Sequence, residues 1–217
     1  MSNQSISTAP VRQRRKEARP AELIAAALEL FVERGFAATR LDEVAARAGV
    51  SKGTLYLYFA SKEELFKAVI QQGILPVLEQ GEEMLAQHQG DARTLLEGLM
   101  RRWWELTGNT RLGGIPKLMI SEAGNFPDVA RYYHENVIQR VHGMLGKVLQ
   151  AGIETGEFRP IDIKSAIDVI SAPMLMLAIW QHSMAPCSCG GMEDPEIYLR
   201  THVDLLLNGL LAKEVDK

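Results

Sequence analysis

The chain has 217 residues, of which 47% are hydrophobic and 24% charged, and its formal net charge is −3. This length gives one or two domains with a sizeable core, and two cysteines are too few for a disulfide framework. The charge is uneven: residues 1–62 hold ten Lys and Arg against six Asp and Glu, a net of +4, which leaves −7 for residues 63–217. A basic N-terminal region on an acidic body favours nucleic-acid binding at that end.

No targeting or membrane segment is predicted. The first 20 residues are polar and lack the apolar core of a secretion signal. The longest apolar run, from Ala166 to Trp180, is too short to span a membrane and contains Asp168. The sequence therefore predicts a soluble, cytoplasmic protein with no membrane partner.

The N-terminal region is predicted to consist of a disordered arm and a first helix. Residues 1–17 contain Ser, Gln, Thr and Arg with almost nothing to bury, which is typical of disorder. The run Arg12-Gln-Arg-Arg-Lys16 is either a solvated tail or a contact to phosphate or the minor groove. An amphipathic helix follows from Ala21 to Phe36, with Pro20 in its first turn and Gly35 at its end.

The stretch from Leu41 to Phe59, LDEVAARAGVSKGTLYLYF, has the pattern of two short helices joined by a tight turn. Gly49 stands where a left-handed C-cap residue is needed, and Ser51 is a good N-cap for the second helix. Leu55 is predicted to face the core together with the final Phe. Because the outer face carries small, polar and phenolic groups that suit a DNA groove, the pattern predicts a helix-turn-helix.

Several side chains of the second short helix have chemistry suited to DNA. Lys52 can donate to guanine O6 and N7, and Thr54 can reach a phosphate or a thymine methyl group. The hydroxyls of Tyr56 and Tyr58 can reach phosphates from the edge of the groove. Lys62 follows in a capping box that opens the next helix, where it is predicted to clamp a phosphate.

Every strong signal after this motif is helical, and no strand is predicted. A shorter helix around Leu118-Met-Ile120 accompanies five longer ones, at residues 62–87, 91–107, 128–155, 163–184 and 194–212. Gly73 and Pro76 interrupt the first of these, as a passive kink or as a hinge between two domains. The last two helices are apolar on nearly every face, which predicts either a homodimer interface or a larger monomer core.

Residues 18 to 69 closely resemble the TetR family of transcriptional regulators, through AALELFVERGFAATRLDEVAARAGVSKGTLYLYFASKEELF. Together with the helical pattern, this resemblance implies an all-α protein with a helix-turn-helix domain at 18–66 and a ligand-binding and dimerisation domain at 67–217. It implies a repressor that a small apolar molecule releases from a palindromic DNA operator, without a cofactor. It also implies DNA contacts near the start of the first of the two short helices. The predicted contacts are therefore Thr39, Arg40, Ser51, Lys52, Gly53, Thr54, Tyr56, Tyr58 and Lys62.

The resemblance implies a small-molecule pocket between the helices of the body. The candidate lining residues share an aromatic or methionine side chain, which is equally typical of plain core: Trp103, Trp104, Met119, Phe126, Tyr133, Met174 and Trp180. Because neighbours in a helix point about 100° apart, one of the two adjacent tryptophans can pack while the other lines a cavity.

Two alternatives to this function remain. Cys187 and Cys189 suggest a metal- or redox-responsive regulator of the same fold, although two thiolates are too few for a closed zinc site unless His182 and a partner subunit add ligands. An ordinary exposed loop explains the same residues, and no metal site is predicted. A helical enzyme is remote, since the chain has no HExxH, GxSxG, P-loop or dinucleotide motif.

Overall fold

The computed structural model describes residues 11–187 and 194–211, with the backbone alone for residues 11–18 and Pro186. Within these ranges the chain is helical, which confirms the all-α prediction, and the β-type pairing is limited to one isolated bridge between Phe158 and Leu211. The α-helices in chain order are α1 (Val11–Arg34), α2 (Leu41–Arg47), α3 (Lys52–Tyr56), α4 (Lys62–Val69), α5 (Leu75–Gln87), α6 (Ala92–Trp103), α7 (Gly114–Glu122), α8 (Pro127–Tyr133), α9 (Gln139–Glu154), α10 (Ile163–Ser183) and α11 (Pro195–Leu210).

Helix α1 begins earlier than the sequence pattern suggested. The prediction of disorder was wrong for residues 11–17, which are helical, while residues 1–10 lie outside the described ranges. Pro20 accordingly lies inside α1 and not in its first turn. Arg, Lys, Gln, Glu and Ala are strong helix formers, so this segment can extend a packed helix without burying an apolar face of its own.

The head of the molecule, formed by α1 to α4, is held by an aromatic cluster. The rings of Phe31, Phe36 and Phe66 lie with centroids 5.3 to 5.6 Å apart. All three are almost completely buried, as are Leu55 of α3 and Leu65 of α4. This core fixes how α2 and α3 are presented on the surface.

One continuous helical rod joins the head to the body. It runs through α4, a π-helical turn at Ile70–Ile74 and α5, and so spans the predicted helix at 62–87. Pro76 follows the π turn and cannot donate a backbone hydrogen bond to it. Gly73 allows a close approach by Leu112, because an added Cβ would lie 2.5 Å from its Cδ2 atom. Whether this region acts as a hinge remains a prediction.

The body consists of the remaining helices, two of which continue into further π turns. These turns lie at Trp104–Gly108, after α6, and at His134–Ile138, between α8 and α9. Asp162 caps α10, because its side chain accepts a hydrogen bond from the Ser165 amide at 2.9 Å. Gly156, with φ of +78°, follows the end of α9.

Helices α10 and α11 leave apolar side chains exposed. The larger ones are Val169 and Met176 on α10, and Ile197 and Leu205 on α11. Contrary to the expectation from its apolar run, α10 is long and apolar enough to cross a membrane, although interior helices of soluble proteins satisfy the same test. One side of α10 packs against α7, α9 and α11. Its other side leaves apolar side chains exposed, which is typical of a surface that another protein covers.

Candidate DNA-binding face and ligand cavity

The turn between α2 and α3 is a Schellman motif, which sets the angle between the two helices. The Val50 amide donates to the Ala45 carbonyl at 2.9 Å, and the Gly49 amide donates to the Ala46 carbonyl at 3.1 Å. Gly49 has φ of +66°, a conformation that glycine adopts without strain. Ser51 then caps α3 by accepting a hydrogen bond from the Thr54 amide at 3.1 Å. The predicted turn and cap are therefore both present.

Helix α3 presents most of its predicted DNA contacts on one exposed face. Ser51, Lys52 and Gly53 are exposed, and Tyr56 keeps 47% of its surface accessible. The Lys52 ammonium lies 5.9 Å from the centroid of the Tyr56 ring. Leu55 points the opposite way into the head core, where it has no accessible surface. The face therefore combines a cation, a phenol and closely approachable backbone.

Arg40 extends this face at the start of α2. Its guanidinium makes two hydrogen bonds to the Asp42 carboxylate, at 3.1 and 3.0 Å. These bonds lower the pKa of Asp42 and keep the carboxylate charged. A shallow cleft of about 270 Å³ borders Arg40, Lys52 and Tyr56, so the predicted contacts from both helices meet at one place.

Thr39 and Tyr58 are less available than predicted. The Thr39 side chain is 2% exposed, and its Oγ1 lies 2.7 Å from the Gly35 carbonyl oxygen, so it closes the loop after α1 and does not face DNA. Tyr58 is half-buried and packs against the head core. The outward position predicted for Thr39 was wrong because the loop turns this residue under α1.

Lys62 has a structural role in the free chain, where its ammonium binds backbone carbonyls. Its Nζ donates to the carbonyl oxygens of Phe36, Ala37 and Thr39, at 2.6, 3.0 and 3.1 Å. These three bonds use all three donors of an ammonium group. Partial burial lowers the pKa of Lys62. These carbonyls come from the distant loop at residues 36–39 and occupy the group that was assigned to DNA, so the phosphate contact of Lys62 stays a prediction.

Leu57 is a surface feature that the sequence analysis missed. It follows α3 and is 82% exposed, the largest exposure among the large hydrophobic residues of the described chain. An apolar group at this edge of the DNA-binding face can contact a thymine methyl. Its position between Tyr56 and Tyr58, both predicted to contact DNA, is the sequence signal that could have identified Leu57 as part of this surface.

The body encloses an apolar cavity of about 590 Å³. Four of the predicted ligand-binding residues line it: Trp103, Met119, Tyr133 and Met174. Trp103 lines the cavity while the adjacent Trp104 is 2% exposed and packs in the core, which is the division expected for neighbours in a helix.

Three other predicted ligand-binding residues do not line the cavity. Trp104 belongs to the core, and Trp180 has a buried indole nitrogen without a hydrogen-bond partner in the described structure. Phe126 packs instead against Phe36 of the head, with ring centroids 4.6 Å apart. Aromatic residues at helical spacing also fill the core and the contact between head and body, so a role for these three residues in ligand binding stays a prediction.

Polar groups are few around the cavity, and most are already paired. Arg102 donates to Gln80 at 2.8 Å and lies 3.5 Å from a Glu105 oxygen. His142 Nε2 lies 3.8 Å from Asp168 Oδ1. The wall can therefore hold a mostly apolar molecule.

The metal- or redox-sensing alternative is not tested by these residues. Cys187 is exposed at the end of a short 3-10 helix, and Cys189 lies outside the described ranges. His182 is partly buried, with Nε2 lying 3.3 Å from the Gly108 carbonyl oxygen, and burial lowers its pKa. In the described ranges, no three His, Cys, Asp or Glu side chains form a potential metal site.

Helix α7 touches both the cavity and the head. Pro116 and Met119 line the cavity, and Glu122 at the end of the same helix accepts a hydrogen bond from the Ala37 amide at 3.1 Å. Gly114 at its start packs so closely on Val32 of α1 that a Cβ would collide with it. The helix therefore contacts both the cavity and the head.

Two family models match the chain. Residues 23–69 match the bacterial regulatory proteins of the tetR family, and residues 86–186 match the tetracyclin repressor-like C-terminal domain. The uncharacterized HTH-type transcriptional regulator YfiR of Bacillus subtilis is 30% identical over 201 residues, which cover 88% of this chain and 95% of YfiR. The fatty acid metabolism regulator protein of the same species is 23% identical, covering 91% of this chain and all of the relative.

Solved structures show the same fold. FadR of Bacillus subtilis in complex with stearoyl-CoA has a TM-score of 0.73 at 21% identity, covering 87% of this chain and 98% of FadR. The ketosteroid transcriptional regulator KstR2 of Mycobacterium tuberculosis has a TM-score of 0.71 at 24% identity, covering 90% and 96%. The matched family consists of DNA-binding transcriptional regulators, so the enzyme alternative falls away. The chain belongs to the TetR family of transcriptional regulators.

Proposed function

We propose that this regulator is a repressor that binds a palindromic operator as a homodimer and leaves it when a small apolar molecule enters the body. The main support for this proposal is the apolar cavity of about 590 Å³, because α7 lines it and is also hydrogen-bonded to the head. Its volume lies within the range of about 300–1,000 Å³ that is usual for ligand sites. The operator and the effector would therefore act on one connected structure.

The head, proposed as residues 18–66, contacts DNA through α3 and the start of α2. Lys52 would donate to guanine, and Tyr56 to a phosphate. Arg40 is held by Asp42 but keeps 69% of its side chain exposed, so it can contact phosphate as well. The basic residues before position 18 would add contacts to the DNA backbone.

The remaining residues, 67–217, would bind the effector and the second subunit. A ligand that displaces Met119 or Pro116 would move α7, and with it the acceptor that Glu122 offers to the Ala37 amide. The effector releases DNA only if it binds better to the arrangement with displaced heads. The proposal therefore requires the effector to bind the free protein more tightly than the operator-bound protein.

Phe126 supports the same route from cavity to head. It lies in the loop after α7, with its ring 4.6 Å from that of Phe36 and 5.7 Å from the Lys62 ammonium. Lys62 also binds the carbonyls that precede α2. A shift of Phe126 would therefore displace Lys62 and, with it, the start of the helix-turn-helix.

The effector is proposed to be apolar and uncharged or cationic. The cavity wall is overwhelmingly apolar, and the body from residue 63 onward carries a net charge of −7. The names of two relatives refer to fatty acid and ketosteroid regulation, which agrees with an apolar effector. A protein of this function would work in the cytoplasm, where its operator is.

The test is a selection of bound fragments from genomic DNA, followed by a screen of apolar molecules for release. The same effector is then titrated into the free protein and into its operator complex. Linkage requires that it bind the free protein more tightly by the factor by which it weakens operator binding. Equal affinities for the two forms, or the absence of any selected DNA sequence, would refute the proposal.

A further inference from the structure

Three π turns border the body cavity. Ile74 lines it from the turn at Ile70–Ile74, Thr107 from Trp104–Gly108, and Ile138 from His134–Ile138. Single π turns inside α-helices are uncommon and are frequent at functional sites. They change the direction in which the neighbouring side chains point, and Tyr133 immediately precedes the third turn. The cavity wall is therefore irregular at Thr107 and next to Tyr133.

Tyr133 lines this apolar cavity and carries a hydroxyl group. The residue is half-buried. Burial raises the pKa of Tyr133, so the phenol remains neutral and keeps its proton. No described residue forms a hydrogen bond with this hydroxyl. A ligand oxygen is a suitable partner for it.

Thr107 provides a second hydroxyl without a partner in the same wall. Its side chain is 3% exposed, and Oγ1 has no hydrogen-bond partner in the described structure. Because Oγ1 is itself fully buried, it would reach a ligand only after rotation about χ1. Tyr133 is therefore the primary polar contact, and Thr107 can supplement it.

The charges around the cavity disfavour an anionic ligand. Arg102 is engaged by Gln80 and Glu105, and the acidic Asp168 lines the cavity together with His142. A carboxylate moved into the apolar interior would lose hydration without gaining a free cation. A hydroxyl or carbonyl group loses much less, and Tyr133 can hydrogen-bond to either.

Building on the proposed function, we propose that the effector is an uncharged, largely apolar molecule with one hydroxyl or carbonyl oxygen that hydrogen-bonds to Tyr133. The apolar wall binds its carbon skeleton, and Tyr133 fixes which end of the molecule lies beside the third π turn. Tyr133 would thus select among apolar molecules of similar size by their single polar group.

The test compares four probes with chains of similar length: octane, octanol, methyl octanoate and octanoate. Binding to the full-length protein is followed through the fluorescence of Trp103, which lines the cavity. Octanol and methyl octanoate are expected to bind more tightly than octane and octanoate. Tyr133→Phe should weaken binding of the two oxygen-bearing neutral probes about three- to tenfold, the effect of one net hydrogen bond, and leave octane unchanged.

Tyr132→Phe is the matched control, because Tyr132 lies outside the cavity lining and contacts Lys67 instead. It should bind all four probes like the wild type. Equal binding of octanol by wild type and Tyr133→Phe, or tightest binding of octanoate, would overturn the inference while leaving the proposed repressor function intact. If none of the four probes bound the wild type, both this inference and the effector cavity of the proposed function would be refuted.

Discussion

Two lysines of the head show how the same residue type acquires different roles. The Lys62 ammonium is held by three backbone carbonyls and lies 4.6 Å from the Phe36 ring centroid. Lys52 is exposed at the start of α3, where its ammonium lies 5.9 Å from the centroid of the Tyr56 ring. Lys52 is therefore available to a base, and Lys62 stabilises the loop that leads to α2.

Lys52→Ala should cost about 1–3 kcal/mol of specific operator binding, because a bidentate contact to guanine is lost. The change lies on an exposed residue, so the free energy of unfolding should stay nearly constant. Titration of a selected operator and of unrelated DNA gives both affinities. Lys164→Ala, which removes an exposed lysine of α10, is the control, and equal losses in the two variants would contradict a specific role for Lys52.

Lys62→Met should lower the free energy of unfolding by about 1–3 kcal/mol, because three carbonyls lose their donor while the apolar contact with Phe36 is kept. Chemical denaturation measures the change. If Lys62 were instead a phosphate clamp, stability would be unaffected and the salt dependence of operator binding would decrease. That pattern would restore the role expected from the sequence.

At the scale of elements, α7 is the shortest connection between cavity and head. Its middle lines the cavity, and its final residue, Glu122, holds the Ala37 amide with one carboxylate oxygen and the Asn125 amide group with the other. Because both contacts belong to one short helix, we expect a displacement of the cavity wall to reach the head through it.

Glu122→Ala should reduce the coupling between effector and operator by about 1 kcal/mol, the net value of one hydrogen bond. Glu122→Gln retains an oxygen acceptor for Ala37 and should preserve the coupling. The measurement is the ratio of effector affinities for free and operator-bound protein, using a molecule found in the release screen. An unchanged ratio in Glu122→Ala would remove this contact from the mechanism.

Helix positions could be predicted because caps and apolar periodicity are local signals. Asp91 and Asp162 cap α6 and α10 as their positions suggest. The π turns were missed because one additional residue in a turn barely alters the apolar period. The start of α1 was missed because a polar segment can be helical when it continues a packed helix.

The site was only partly predictable, since the direction of a side chain depends on tertiary packing. The sequence indicated that one of Trp103 and Trp104 would line a cavity, but the choice is set by how α6 packs against α9. The inward position of Lys62 likewise depends on the path of residues 35–40, which no local pattern specifies. Ser51 and Lys52 were predictable because the cap and the turn determine where they lie.

At the scale of the whole molecule, four of the exposed apolar residues lie on two neighbouring helices, α10 and α11. Val169 and Met176 are two turns apart on α10, and Ile197 and Leu205 are about two turns apart on α11. The two helices are in contact, so together they form an apolar surface that a second subunit of the same kind can cover. The two helices of each subunit would then form a four-helix bundle.

Leu205→Glu should dissociate the dimer, because a charge buried without a partner costs several kcal/mol. Leu205 is suitable because it is 68% exposed in the single chain, whereas Leu207 is 2% exposed and its replacement would disturb folding instead. Sedimentation velocity measures the change, and operator affinity should fall with it, because two heads bind adjacent half-sites. Gln150→Glu on the exposed face of α9 should leave assembly unchanged; a monomeric wild type would contradict the prediction.

The three π turns have a consequence for how this chain can evolve. Each is a helix that carries one residue more than an α-helix needs, so deleting that residue restores regular geometry instead of breaking the helix. Elsewhere in a packed helix a single deletion rotates every following side chain out of place. The turns at Ile70–Ile74, Trp104–Gly108 and His134–Ile138 are therefore the places where the chain can gain or lose a residue. Since all three border one cavity, lineages can change what it accepts while the DNA-binding head stays as it is.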